Sequence, residues 1–322
     1  MLSRVANSVY WIARYLERAE NTARIVNVNT NLVLDTPKGM SPGWDPLVMI
    51  TGNQEVFDQQ YAEANERNVT RFLLTDANNG VSVLYCLDRA RENARTVREV
   101  LPREVWEELN NLYLYARDNA QQGSSKRGRY EYVMKVIRGV QQLTGMMTGT
   151  MSNNMPYDFM VLGRNLERAD MTLRILDVRS ASLLPDAAEL RPFENIQWVS
   201  VLKSLSAYQM YLQYMGVRVY REGVLQFLLQ DRDFPRAVHH CVLRAASALG
   251  NLPRREAVLP QLDKVKAIIT KVDVSTLDQA GLHAFIDAQE AGMADVGNAV
   301  AKVYFHPQPL PATAKRKVAK AA

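Results

Sequence analysis

The sequence predicts an all-α protein, a multi-helix bundle built from two pseudo-twofold-related helical repeats. Three observations predict it. Apolar residues recur at three- and four-residue spacing along most of the 322 residues, while alternating strand-like runs are scarce. Proline and glycine punctuate that pattern at intervals that suit helices. The segment Arg14-x-x-Glu17-Arg18-Ala19-Glu20-x-x-x-Arg24 returns 150 residues later as Arg164-x-x-Glu167-Arg168-Ala169-Asp170-x-x-x-Arg174.

Taken in order, the first helix is expected near 3–35, capped by Ser3 and ended by Pro37-Lys-Gly. Helical spacing resumes near 45–75 and stops at Asn78-Asn-Gly. A helix near 80–99 meets Leu101-Pro, and one near 103–122 meets Gln122-Gly-Ser-Ser. The next runs near 127–151. Asn153-Asn-Met-Pro-Tyr-Asp158 starts a helix near 156–182, which ends before Pro185. The spacing continues near 194–230, stops at Pro235, then resumes near 235–250 behind Asp233 and near 254–271 after Pro253. The last helix, near 276–304, has Ser275 as its cap and a break at Gly281. Residues 1–306 form one domain, with repeats near 1–152 and 153–306. After Pro307, Pro309 and Pro311, residues 307–322 read as a disordered basic tail.

The duplication reaches beyond the Glu-Arg segment. Phe72-Leu73-Leu74-x-Asp76 returns as Phe227-Leu228-Leu229-x-Asp231, an offset of 155. In that frame Gly80 meets Pro235, Cys86 meets Cys241, and Arg89-Ala90 meets Arg244-Ala245, while Trp44 meets Trp198 at the nearly equal offset of 154. Several matches in order imply a cryptic repeat that folds as one cooperative unit. The two cysteines, at matching places, read as small buried core residues, too few for a disulfide framework or a metal cluster.

At about 100° per residue, Trp11, Ile12, Tyr15, Leu16, Ala19, Ala23 and Val26 share one face of the first helix. Arg14, Glu17, Arg18, Glu20, Asn21 and Arg24 occupy much of the other. Arg164, Glu167, Arg168, Asp170 and Arg174 repeat that arrangement. Three readings are open. The faces are solvated and bridged along each helix. Alternatively, the helices cross and arginines of one fork onto carboxylates of the other. In the third, the network also lines a cleft for a carboxylate or phosphate, groups that the planar guanidinium matches.

Charge narrows the partners. Of the formal +5, Lys315, Arg316, Lys317 and Lys320 supply four, leaving +1 for residues 1–314, so the body lacks the charge of a nucleic-acid binder. No apolar run reaches a bilayer-spanning length and no secretory signal is legible, so the expected location is cytoplasmic. No Glu-x-x-His pair, phosphate-cradling Gly-Lys-Ser/Thr loop or Gly-x-Ser-x-Gly elbow occurs, and no cofactor is expected. Glu17-x-x-Glu20 has carboxylates at a metal-ligand spacing, but Arg14, Arg18 and Arg24 would repel a cation, so no metal is expected. His239-His240 reads as packed or hydrogen-bonded, and Tyr208, Tyr211, Tyr214 and Tyr220 as core or repeat-interface packing.

Leu2 to Arg24, with its Tyr10-Trp-Ile-Ala-Arg-Tyr-Leu-Glu-Arg-Ala-Glu20 run, resembles the alpha-E domain family, bacterial all-helical proteins named for their Glu-Arg motif. Leu162-Gly-Arg-Asn-Leu-Glu-Arg-Ala-Asp-Met-Thr-Leu-Arg174 is similar to that family's second signature. Arg89-Ala-Arg-Glu-Asn-Ala-Arg95, Phe227-Leu-Leu and Phe234-Pro-Arg236 match further segments. The resemblance covers roughly 1–260. It implies association with a circularly permuted ATP-grasp protein and often with a transglutaminase-like protease, in a peptide or amide-bond synthesis and processing system. On that basis the expected function is that of an accessory or interaction protein, not catalytic on its own. Its ion-pair network and cleft would be Arg14, Glu17, Arg18, Glu20, Asn21, Arg24, Arg164, Glu167, Arg168, Asp170 and Arg174. The alternatives are an enzyme with Glu17 or Glu167 as general base, and a purely structural scaffold. Oligomeric state stays open.

Overall fold

The structure, a computed structural model, describes residues 1–35, 43–181 and 191–306. The breaks expected at Pro37 and Pro185 and the basic tail lie outside the described residues. Among the described residues every regular element is helical. The helices are α1 (Ser3–Asp35), α2 (Asp45–Thr51), α3 (Gln54–Gln60), α4 (Glu66–Leu74), α5 (Val83–Arg95), α6 (Arg103–Asp118), α7 (Ala120–Ser124), α8 (Arg129–Thr150), α9 (Met155–Ala181), α10 (Arg191–Ser204), α11 (Tyr208–Tyr214), α12 (Arg221–Gln230), α13 (Val238–Gly250), α14 (Leu259–Lys271) and α15 (Gln279–Val300). A π-helical turn, Ala301–Phe305, follows α15.

Two long helices organise the rest. The 33 residues of α1 span about 50 Å. It packs along α9, with α5 and α8 against α1, and α13 and α15 against α9. The apolar stripe Ile12, Leu16, Ala19, Ala23 and Val26 and its counterpart Leu162, Leu166, Ala169, Leu173 and Leu176 are all buried. Unlike a surface helix, α1 also buries its polar side, including Glu17, Glu20 and Asn21.

The helices approach closely at Gly163. A Cβ there would sit 2.5 Å from the Tyr10 carbonyl oxygen, a backbone atom that cannot rotate away. Gly163→Ala is therefore expected to push α1 and α9 apart and to destabilise the fold by about 1–3 kcal/mol. Urea unfolding would measure this, and an unchanged midpoint would mean that the crossing has slack.

Several expected elements are divided. The helix expected near 45–75 is three, because Gly52, with φ of +67°, closes α2 and extended backbone at Tyr61 ends α3. The helix expected near 194–230 is also three, broken at Ser206 (φ +53°) and Gly216 (φ +95°). Two expected caps are displaced. Asp278, not Ser275, caps α15 by accepting from Gly281 N, while Asp273 accepts from Ser275 N. Ahead of α13 it is Asp231 that accepts from Asp233 N and Phe234 N, so Asp233 caps nothing there. In both places the acid begins a short turn that the periodicity does not register. Ser3 is the first helical residue of α1. Of the tyrosines, Tyr211 is buried and donates to Arg218 O at 3.1 Å, whereas Tyr214 and Tyr220 are exposed.

Candidate functional site: a crossed arginine–glutamate network and its cleft

Helical spacing places Arg14, Glu17 and Arg18 within one turn of α1, and the crossing brings them against the matching turn of α9. Arg14 Nε donates to Glu167 Oε2 at 2.6 Å. Arg18 forks onto the same carboxylate, Nε to Oε1 at 2.6 Å and Nη2 to Oε2 at 3.0 Å. In the other direction, Arg168 Nε donates to Glu17 Oε2 at 2.9 Å. Aromatic faces hold the guanidinium planes, with Arg14 over Tyr10 and Trp11 and Arg18 over Tyr15.

Glu17 and Glu20 have a further partner from the loop between α12 and α13. Arg236 Nη1 reaches Glu17 Oε1 at 2.6 Å and Asn21 Oδ1 at 2.7 Å, and its Nη2 reaches Glu20 Oε1 at 2.9 Å. Arg24 pairs with Glu20 along α1, and Gln141 of α8 donates to the same oxygen. Arg164 stands apart. It lines a void of about 10 Å³ with Glu17 and Tyr157, room for about one water, and its buried Nε has no hydrogen-bond partner among the described residues. Asp170 and Arg174 pair with each other along α9, at 2.9 Å, and do not reach α1.

Burial alone would push the Glu17 carboxyl upward. Arg168 and Arg236 more than offset it and hold that group at about 2, and Arg18 and Arg14 do the same for Glu167. Against an ordinary value of 4.5, both carboxylates contribute stability that is fully present above that value and is lost as pH falls through about 2. Acid titration followed by circular dichroism should show cooperative loss of structure between those limits, while stability independent of pH there would contradict the pairing. Carboxylates this tightly held are poor proton acceptors. The general-base role weighed for Glu17 or Glu167 is therefore corrected: both are buried and have arginine on their oxygens.

Above this network opens a cleft of about 480 Å³, floored by Arg14 and Arg18 of α1 and by Asp170 and Arg174 of α9. Asn7, Tyr10 and Trp11 form one wall, and Glu290, Asn298 and Phe305 the other. Arg14 Nη2 and Arg18 Nη1 donate to no other described residue, so the floor keeps spare N–H groups. Arg174 Nη2 lies 3.6 Å from Glu290 Oε2. Burial, reinforced by Asp170, Asp177 and Asp287, raises the Glu290 carboxyl to about 7 despite Arg174.

The family model for Alpha-E, described as a predicted alpha-helical domain with a conserved ER motif, matches residues 1–305. The chain belongs to the Alpha-E family. Similar curated proteins are uncharacterized ones from Mycobacterium bovis and Mycobacterium tuberculosis, 22% and 21% identical over 272 residues, covering 78% of this chain. The match takes in only 30% of each of those relatives. No solved structure matches.

In this Alpha-E domain, then, the Glu-Arg motif supplies the helix crossing and the floor of the cleft. Sequence reasoning missed Arg236, Gln141 and Glu290. Arg236 has Val81 as its counterpart in the first half, so the duplication gave no signal, although Phe234-Pro-Arg236 stood among the matching segments. Glu290 lies on α15, far along the chain from either motif. Other candidates lie outside the lining of the cleft. Burial pushes both thiols up to about 12. His239 and His240 sit against the Gln230 and Arg232 carbonyls. Asp177, His283 and Asp287 gather ligand-type atoms at the surface, where the histidine is already hydrogen-bonded to Asp177. No described helix is long and apolar enough to cross a membrane.

Proposed function

We propose that this Alpha-E protein is the accessory partner of a circularly permuted ATP-grasp ligase in a peptide or amide-bond synthesis system, with the cleft receiving a carboxylate-bearing ligand. The carrying observation is the pair of spare guanidinium edges, Arg14 Nη2 and Arg18 Nη1, on two arginines that share the single negative charge of Glu167 and so leave a net positive charge facing the cleft. An incoming carboxylate accepts preorganised, charge-assisted hydrogen bonds there without displacing Glu167. The relatives add support, because their matched segment sits within much longer chains, as expected of a unit that works beside another domain. A transglutaminase-like protease acting on the product fits the same system.

The same reading takes the domain as two related halves, near 1–152 and 153–306. Thr22 donates to Val81 O and Thr172 to Arg236 O, while Cys86 faces Gly80 O and Cys241 faces Pro235 O, all in the register of the repeat.

The test is amide formation by the ATP-grasp protein with and without this chain. Addition should raise turnover, folded Arg18→Gln protein should not, and this chain alone should be silent. A ligase indifferent to the addition would sink the proposal. Turnover by this chain alone would favour a second reading, an enzyme in the cleft with Glu290 as general base, which that carboxyl's position near neutrality supports.

A further inference from the structure

The two ends of the cleft differ in charge. On the α1 side the lining Arg14 and Arg18 belong to a network of six arginines, with Arg24, Arg164, Arg168 and Arg236 behind them, against three buried carboxylates, Glu17, Glu20 and Glu167. Along the seam of α9 and α15 the balance is reversed. There the lining Asp170 and Glu290, with Asp177 and Asp287 beyond the lining, stand against Arg174 and the His283 side chain. At that end Glu290 accepts no hydrogen bond from a described residue, and its sole cationic contact, at 3.6 Å, is too long for one.

We propose that the cleft selects a dipolar ligand, one with both a carboxylate and an ammonium group, as presented by an amino acid or a short peptide with free termini. The proposal rests on the carboxylate-receiving cleft described above and adds the second pole. The ligand's carboxylate takes the spare edges of Arg14 and Arg18. Its ammonium group goes to Glu290, whose carboxyl is held near neutrality by burial and by the acids around it and is ionised by an arriving cation. The Trp11 and Phe305 rings wall the space between the poles, and its volume suits a ligand of that size.

The probe is a pool of tripeptides with free termini, compared with the same pool N-acetylated and the same pool C-amidated. Each is offered to the full chain, with retention measured by ultrafiltration and mass spectrometry. Acetylation and amidation should each weaken retention about tenfold or more. Glu290→Gln, checked for an unchanged melt, should erase the penalty for acetylation and leave that for amidation. Equal retention of free and acetylated pools by the wild type would overturn the dipolar ligand while leaving the carboxylate reading intact. An acetylation penalty that survives in Glu290→Gln would overturn the assignment of the ammonium pole. If amidation made no difference, or nothing were retained, both readings would fall together.

Discussion

Replacing Glu17 with alanine is expected to destabilise the protein by about 3–5 kcal/mol, a large part of the stability of an ordinary domain. The cause is what the substitution leaves behind. Glu17 is 2% exposed and accepts from Arg168 on one oxygen and from Arg236 and Asn21 on the other. Without it, Arg168 and the buried Arg236 lose their shared anion, and Arg164 beside them already has an unpartnered Nε. Glu17→Gln keeps the volume and one acceptor oxygen but not the charge, so it should fall between wild type and alanine. Arg103→Ala is the control. Arg103 pairs with Glu107 at a comparable distance, 2.7 Å, but at 85% exposure, and its loss should change little. Urea midpoints of the three variants would decide the matter. If Glu17→Ala and Arg103→Ala were equally mild, the network would be a bystander to folding.

That contrast also explains how much of the molecule could be read in advance. Periodicity revealed the long helices because α1 and α9 each have an apolar stripe that a buried helix needs, and the repeated Glu-Arg spacing paired the two segments. The short helices were less legible. Positive φ at Ser206 and Gly216 is a local backbone decision inside a run whose apolar spacing continues unbroken. The site divides in the same way. Arg14, Glu17, Arg18, Glu167 and Arg168 share a turn on their own helices, so spacing alone grouped them. Asp170 and Arg174 belonged to the same pattern yet pair with each other, and Arg174 approaches Glu290 of α15, because the arginine that holds Asp170's counterpart Glu20 is Arg236, and Val81 stands at the position matching Arg236. Arg236 and Glu290 arrive through tertiary packing, which a helical repeat does not encode.

Arg236→Leu should be nearly as damaging as the loss of Glu17, at about 3 kcal/mol, and it tests the network from its cationic side. Arg236 is 7% exposed and bridges Glu17 to Glu20. Leucine would leave Glu17 with Arg168, and Glu20 with Arg24 and Gln141. The Glu17 carboxyl should then rise from its depressed value, because burial would be opposed by Arg168 and the more weakly acting Arg164 alone. Acid unfolding of Arg236→Leu should accordingly begin at higher pH than in wild type. Combining Arg236→Leu with Glu17→Gln removes a charge of each sign, so the pair should cost less than the two single losses added together, by about 1–3 kcal/mol. Strict additivity would mean that Arg236 acts through packing alone, and that the Glu17–Arg236 contact, short as it is, contributes little to holding the loop before α13 against α1.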